Sequence, residues 1–237
     1  AIKTELDPLP ESLKRLNPTL FRALPVCSGS AQGVLTLLTS LDLNALTDLP
    51  DAKSMKEEQS ALEKGLTLLM KNIELRALDS DSTACAILEA HRSLATDTSL
   101  RQHLLTGVHQ GLSCAQATIA TANHFCDEFS RSSSHYLQER VLDVRDVCYQ
   151  LLQQIYGEQT FPAPGKLTQP TICLADDLTP GQFLELDKTL LKGLLLKSGG
   201  TTSHTVILAR SFTIPTLVGV DSESLQQWHN QPIFVDG

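Results

Sequence analysis

The stretch KSGGTTSHTVILAR, Lys197 to Arg210, brings two glycines, three hydroxyl residues and a histidine together directly before an apolar run. Such a run starts a helix. Gly199 and Gly200 permit a tight turn, and Thr202 or Ser203 supplies the side-chain oxygen that caps the first free N–H groups. His204 then stands in the first turn. The N–H groups of a helix start are unpaired and partly positive, so they attract anions and disfavour imidazolium. A histidine held neutral there keeps a lone pair on one ring nitrogen and is a nucleophile. The glycines let a phosphate approach the backbone, and the hydroxyls of Thr202, Ser203 and Thr205 can donate to its oxygens. That is the equipment of a residue that accepts a phosphoryl group. No Walker lysine motif accompanies it, so a nucleotide is not the evident donor. The bland alternative is an ordinary helix start with a surface histidine.

Composition narrows the setting. The chain has 237 residues, 19 basic against 27 acidic, for a net charge of −8. This argues against a nucleic-acid surface, which needs clustered Lys and Arg. No apolar run approaches the ~20 residues that span a bilayer, so no membrane partner is expected. The amino terminus AIKTELDPLP lacks an apolar signal core. Cys27, Cys85, Cys114, Cys126, Cys148 and Cys173 are scattered without a C-x-x-C pair and read as reduced thiols of a cytoplasmic protein.

Three textures position the histidine. Residues 1–25 are punctuated by Pro8, Pro10, Pro18 and Pro25 and read as a linker or extension, with PESLKRL as two helical turns. Residues 26–40 hold one or two strands. From 49 to 161 leucines recur at helical spacing, as in Leu62, Leu66, Leu69 and Ile73. Breaks near 79–82, 96–99, 111–113 and 131–134 divide this region into four or five helices packed as a bundle. After Phe161-Pro162-Ala163-Pro164 the texture alternates again. TICLA (171–175), GLLLK (193–197), PTLVG (215–219) and PIFVD (232–236) are expected strands; TPGQFLEL and TSHTVILARS are expected helices. The fold class is therefore an α/β domain, 26–48 with 162–237, carrying an inserted α-helical bundle subdomain at 49–161. Two connections between the units would act as a hinge.

GGTTSHTVILARSFTIPTLVGV closely resembles the phosphohistidine swivelling domain of the phosphoenolpyruvate-utilising enzymes. Gly199, Gly200, Thr202, Ser203, His204, Ala209, Arg210, Ile214, Pro215, Val218 and Gly219 stand in its signature. HYLQERVLDVRDVCYQLL (135–152), ILEAHRSLATDTSL (87–100) and LADDLTPGQF (174–183) resemble the amino-terminal half of enzyme I of the bacterial sugar phosphotransferase system. The lead DPLPESLKRLNPTL resembles the linker ahead of the enzyme I module in fused multiphosphoryl transfer proteins. The resemblance implies a phosphotransferase half that accepts phosphate on Nε2 of His204 and passes it to an HPr-like phosphocarrier. It places Arg210 among the phosphate-site residues. It assigns partner docking to Glu89, His91, Leu94, Asp97, Tyr136, Arg140 and Asp143, with Arg145 in the same pattern. Phosphoenolpyruvate and Mg²⁺ are expected only with a carboxy-terminal barrel domain, which lies outside these residues; no cofactor is expected in this part.

Two departures stand out. The family's run before the docking helix is acidic and lysine-bearing; here it is DSDSTAC. Phe183 occupies the place of a threonine whose hydroxyl holds the resting histidine, with Thr179 nearby. Read without the resemblance, Glu89 and His91 are an exposed helical pair, and Arg140, Asp143 and Arg145 a solvated salt-bridge face. The alternative function is a non-catalytic docking module with His204 idle. A phosphohydrolase would want a carboxylate that the motif itself lacks.

Overall fold

Strands form where leucines and β-branched residues run unbroken between turns. In a computed structural model describing residues 21, 23–38, 41–46, 48–78, 80, 82–162, 167–198 and 203–236, six of them make one sheet. They are β1 (Leu24–Cys27), β2 (Ser30–Leu37), β3 (Thr171–Ala175), β4 (Leu191–Leu196), β5 (Thr216–Val218) and β6 (Pro232–Asp236). Their order is β1-β5-β4-β3-β2-β6. The four inner strands are parallel, and β1 and β6 close the edges antiparallel. TICLA, at the centre, is buried at every position, as a strand covered on both faces must be. Pro25 falls in edge strand β1, where the register slips and a missing N–H is tolerated. The expected helix in PESLKRL and most of the expected 1–25 extension lie outside the described residues.

Five helices follow β2 in the chain and precede β3: α1 (Met55–Leu78), α2 (Ser82–Thr96), α3 (Thr98–His109), α4 (Cys114–Arg131) and α5 (His135–Tyr156). Their ends fall at the breaks read from the sequence. Helix α1 starts at Met55 rather than near Leu49, because Ser54 and Glu57 cap each other. The Glu57 N–H donates to Ser54 Oγ at 3.4 Å, and the Ser54 N–H to Glu57 Oε2 at 3.2 Å. Asp97 caps α3 through the Leu100 N–H at 2.9 Å, and Ser113 with Gln116 forms the capping box of α4. Leu62, Leu66, Leu69 and Ile73 of α1 meet Leu100, Leu104, Val144, Val147 and Leu151 in one apolar core. Each such side chain contributes roughly 1.5–3 kcal/mol on burial.

Three short helices complete the sheet region: α6 (Pro180–Glu185), α7 (His204–Ser211) and α8 (Ser222–Gln226). One face of the sheet packs Cys173, Leu194 and Leu196 against Phe183, Val206 and Leu208, and Ala84 and Ile87 of α2 join that cluster. The helical region and the sheet thus share a core at the place where α6 and α7 begin. The other face packs Ile172, Leu174 and Leu195 with Leu225 of α8, a helix not anticipated because SESLQ carries no apolar period. All six cysteines are free thiols. No helix among the described residues is long and apolar enough to cross a membrane.

Candidate active site

Helix α7 begins at His204 with Ser203 as its cap: Ser203 Oγ accepts from the Val206 N–H at 3.4 Å. The His204 imidazole is 32% exposed. Gly199, Gly200 and Thr202, expected to form the turn before it, lie outside the described residues. The two other residues assigned to phosphate support are engaged elsewhere. The Thr205 hydroxyl is buried and donates to the Leu178 carbonyl at 2.6 Å, fastening the helix start to the loop before α6. Arg210 stands at the far end of α7, about 9 Å along the axis from His204. Its Nε donates to the Val26 carbonyl of β1 at 2.7 Å.

The residues expected to dock a partner divide into two groups. Glu89 and Asp97 are exposed, and Tyr136 is 61% exposed. Leu94 belongs to the helical core. His91 and Asp143 are 0% exposed, so neither can touch a partner; the exposed-pair and solvated-face readings fail for them. They face inward because α2 and α5 turn these positions toward the start of α7. Asp143 Oδ1 lies 3.8 Å from Nδ1 of His204 and 3.7 Å from Nε2 of His91. Arg140 approaches Asp143 Oδ2 at 4.0 Å while its guanidinium holds the Tyr136 hydroxyl at 2.9 Å and the Ala90 carbonyl at 3.4 Å. Arg145 pairs instead with Asp177 at 3.8 Å.

Three further residues, Asp146, Thr179 and Gly181, complete the cluster, and none of them belongs to the phosphohistidine signature. Asp146, one turn beyond Asp143 on α5, lies 3.6 Å from His91 Nε2. Its Oδ1 accepts the Thr179 hydroxyl at 2.5 Å, and its Oδ2 accepts the Gly181 N–H at 2.6 Å. Gly181 is required by this approach: a Cβ there would stand 2.7 Å from the carboxylate. The spacing D-x-x-D in VLDVRDV was the available signal for Asp146. Thr179 therefore does not hold His204; its hydroxyl belongs to Asp146. Phe183 is wholly buried with its ring against Phe212.

Electrostatics follow this geometry. Burial alone would raise the Asp143 carboxyl, but the His204 and His91 imidazoles outweigh it and hold the group down at about 2. Burial pushes the Asp146 carboxyl up, against His91, Thr179 and Gly181, which favour its anion. The Asp143 carboxylate raises His204 above the usual 6.5, overcoming desolvation. The direction is opposite to the one expected from the helix start alone, because a facing carboxylate favours the charged ring. A carboxylate on the Nδ1 side favours the tautomer with its proton on Nδ1, in which Nε2 carries the lone pair. No group of three or more His, Cys, Asp or Glu among the described residues is arranged to hold a metal ion.

Residues 22–140 match the family model described as PEP-utilising enzyme, N-terminal, and residues 167–237 the one described as PEP-utilising enzyme, mobile domain. Multiphosphoryl transfer protein 2 of Escherichia coli (strain K12) is 74% identical over 233 residues, which cover 98% of this chain and 28% of that protein. The phosphoenolpyruvate-protein phosphotransferase of Mycoplasma capricolum is 30% identical over 193 residues, 80% of this chain and 33% of that protein. The chain thus spans about a third or less of these relatives. A structure titled N-terminal domain of Enzyme 1 - Nitrogen superposes with a TM-score of 0.64 at 24% identity, covering 92% of this chain and 90% of that one, a likeness of fold. With the amino-terminal model alone matching half of its length, the chain belongs to the PEP-utilising enzymes.

Proposed function

We propose that the chain is a phosphoryl carrier of the sugar phosphotransferase system, with His204 as its covalent acceptor. The observation that supports this best is the pairing of His204 Nδ1 with the buried Asp143 carboxylate at 3.8 Å, at the capped start of α7. In this reading Nε2 attacks the phosphorus of a phosphorylated imidazole or an enol phosphate. An N–P bond forms, the donor's P–N or P–O bond breaks, and the donor keeps that electron pair. The proton stays on Nδ1, and Asp143 balances the positive charge that develops on the ring. This is the role a carboxylate plays behind any catalytic imidazole. Transfer between two imidazoles asks mainly for positioning and charge stabilisation.

The similarity to a multiphosphoryl transfer protein and to a phosphoenolpyruvate-protein phosphotransferase supports the same reading. The partner is then an HPr-like phosphocarrier. We read residues 49–161 as an inserted docking unit, with Glu89, Asp97, Tyr136 and Arg140 at its accessible face, and 26–48 with 162–237 as the phosphohistidine unit. Phosphoenolpyruvate and Mg²⁺ are handled by other parts of the longer proteins, of which the chain matches 28% and 33%. The cytoplasm is the compartment consistent with six free thiols.

The deciding experiment is intact mass after mixing with phosphorylated HPr. A gain of one acid-labile phosphoryl group is expected, absent in His204→Ala with the fold retained. A His204→Ala protein that accepts phosphate as well as the parent overturns the assignment.

A further inference from the structure

His91 is a buried titratable group that the acceptor chemistry does not itself use. Its ring is 0% exposed, and neither ring nitrogen has a partner within hydrogen-bond distance. Nε2 faces two carboxylate oxygens at nearly equal range, Asp143 Oδ1 at 3.7 Å and Asp146 Oδ2 at 3.6 Å. Both Asp143 oxygens likewise have no hydrogen-bond partner, and neither carboxylate is exposed to solvent beyond 2%. Two buried carboxylates one helical turn apart repel each other unless something between them donates a proton. Among the described residues, His91 is the one side chain within ion-pair range of both. Asp146 is already anchored by Thr179 and Gly181, so it is the fixed end of the chain. Asp143 has no such anchor of its own: Arg140 reaches it only at 4.0 Å, and His204 only at 3.8 Å.

We propose that His91 is a positioning residue for phosphotransfer: its Nε2–H, shared between Asp143 and Asp146, holds the Asp143 carboxylate against Nδ1 of His204. The row Asp146–His91–Asp143–His204 then carries the rigidity of the α6 start to the reacting ring. This role rests on His204 being the phosphoacceptor, and it concerns orientation, not contact with phosphate. The groups that bear on His204 are Asp143, Glu139 and Arg140 of α5; those on Asp143 are His91, His204, Asp146 and Arg140; those on Asp146 are His91, Asp143, Thr179, Gly181 and, at longer range, Glu185.

The test separates orientation from mere proximity. In the unphosphorylated parent, ¹⁵N-edited NMR of the imidazoles should find the His91 proton on Nε2 in slow exchange. In His91→Leu, His204 should titrate at lower pH than in the parent, toward the ordinary value, and lose its Nδ1–H preference. Phosphoryl acceptance from phosphorylated HPr should fall roughly 10- to 100-fold, as misplacement of a reacting group does. His91→Gln, which retains an N–H donor, should recover part of both. If His91 were only a neighbouring charge, its removal would leave His204 titrating unchanged or higher, and that result overturns the proposal. So does a parent protein whose His91 carries its proton on Nδ1 alone, a measurement that needs no variant to fold. Failure of the acceptor reading is distinct: it is seen in His204→Ala and leaves the titration results standing.

Discussion

At His204 two fields compete, and the comparison of their reach explains which one governs. The helix start offers partial positive charge worth about 0.3–1 kcal/mol near the surface. A full carboxylate, buried and 3.8 Å from Nδ1, is the stronger influence. It raises the His204 pKa above 6.5, while Asp143 is held at about 2. The sign of the stability effect follows. The pair is complete only where Asp143 is ionised and His204 protonated. Its contribution is lost as pH falls toward 2, and lost again as pH rises through the elevated His204 value. Acceptance of phosphate has the opposite demand, since Nε2 must be unprotonated; the acceptor rate should climb with pH through that same value. Asp143→Asn is expected to move the acid limb of this profile downward, toward 6.5. It should also reduce the plateau by more than about tenfold, because the ring loses its tautomer and its counter-charge. A pH–rate series with phosphorylated HPr checks both, and an unshifted limb would dissociate Asp143 from His204.

At the scale of elements, the helices were legible because their leucines repeat and their ends are punctuated. Ser54-x-x-Glu57 and Ser113-x-x-Gln116 are capping signatures visible in the letters. The β4 start at Leu191 and the whole of α8 were not, since their formation depends on neighbours in the sheet rather than on local pattern. Nor was the inward direction of His91 and Asp143: a polar residue on an amphipathic helix reads as exposed until its partners from other helices are known. Gly65 was equally silent. It lies inside α1, where glycine costs about 1 kcal/mol relative to alanine, yet a Cβ there would stand 2.4 Å from Ile155 Cγ1 of α5. Close approach of the two helices therefore outweighs propensity. Gly65→Ala should destabilise the protein by about 1–3 kcal/mol through overpacking. In an Ile155→Ala background the same change should stabilise it, because the obstruction is gone and the propensity gain remains. A double-mutant cycle by urea denaturation measures this coupling; additive effects would mean that the helices adjust freely.

For the molecule as a whole, the helices meet the sheet region at two places, the start of α7 and the segment 177–185 that includes α6, and three polar contacts fall on the second. Asp146 holds the Thr179 hydroxyl and the Gly181 N–H, Arg76 of α1 approaches Glu185 at 3.7 Å, and Arg145 approaches Asp177 at 3.8 Å. These are not equal. The Arg145 pair is exposed by about a third on each side and is worth at most about 1 kcal/mol. Burial pushes the Glu185 carboxyl up and Arg76 opposes it, so that pair adds little at neutral pH. The Asp146 anchor is buried, short and doubly satisfied; its removal leaves the Gly181 N–H without its acceptor and the Thr179 hydroxyl with only Gln182 Oε1 at 3.2 Å. Its loss should therefore dominate. Asp146→Ala is expected to cost about 3–5 kcal/mol, the usual effect of breaking a buried charged network by deleting one member. Arg145→Ala should stay within about 1 kcal/mol. Hydrogen exchange gives the spatial signature: amides of residues 178–186, Gly181 foremost, should lose protection in Asp146→Ala. Amides in the middle of α4, remote from this contact, should exchange as in the parent when compared at matched overall stability. If protection is lost evenly across both regions, the helices and the sheet unfold as one block, and α6 is not the place where they are fastened.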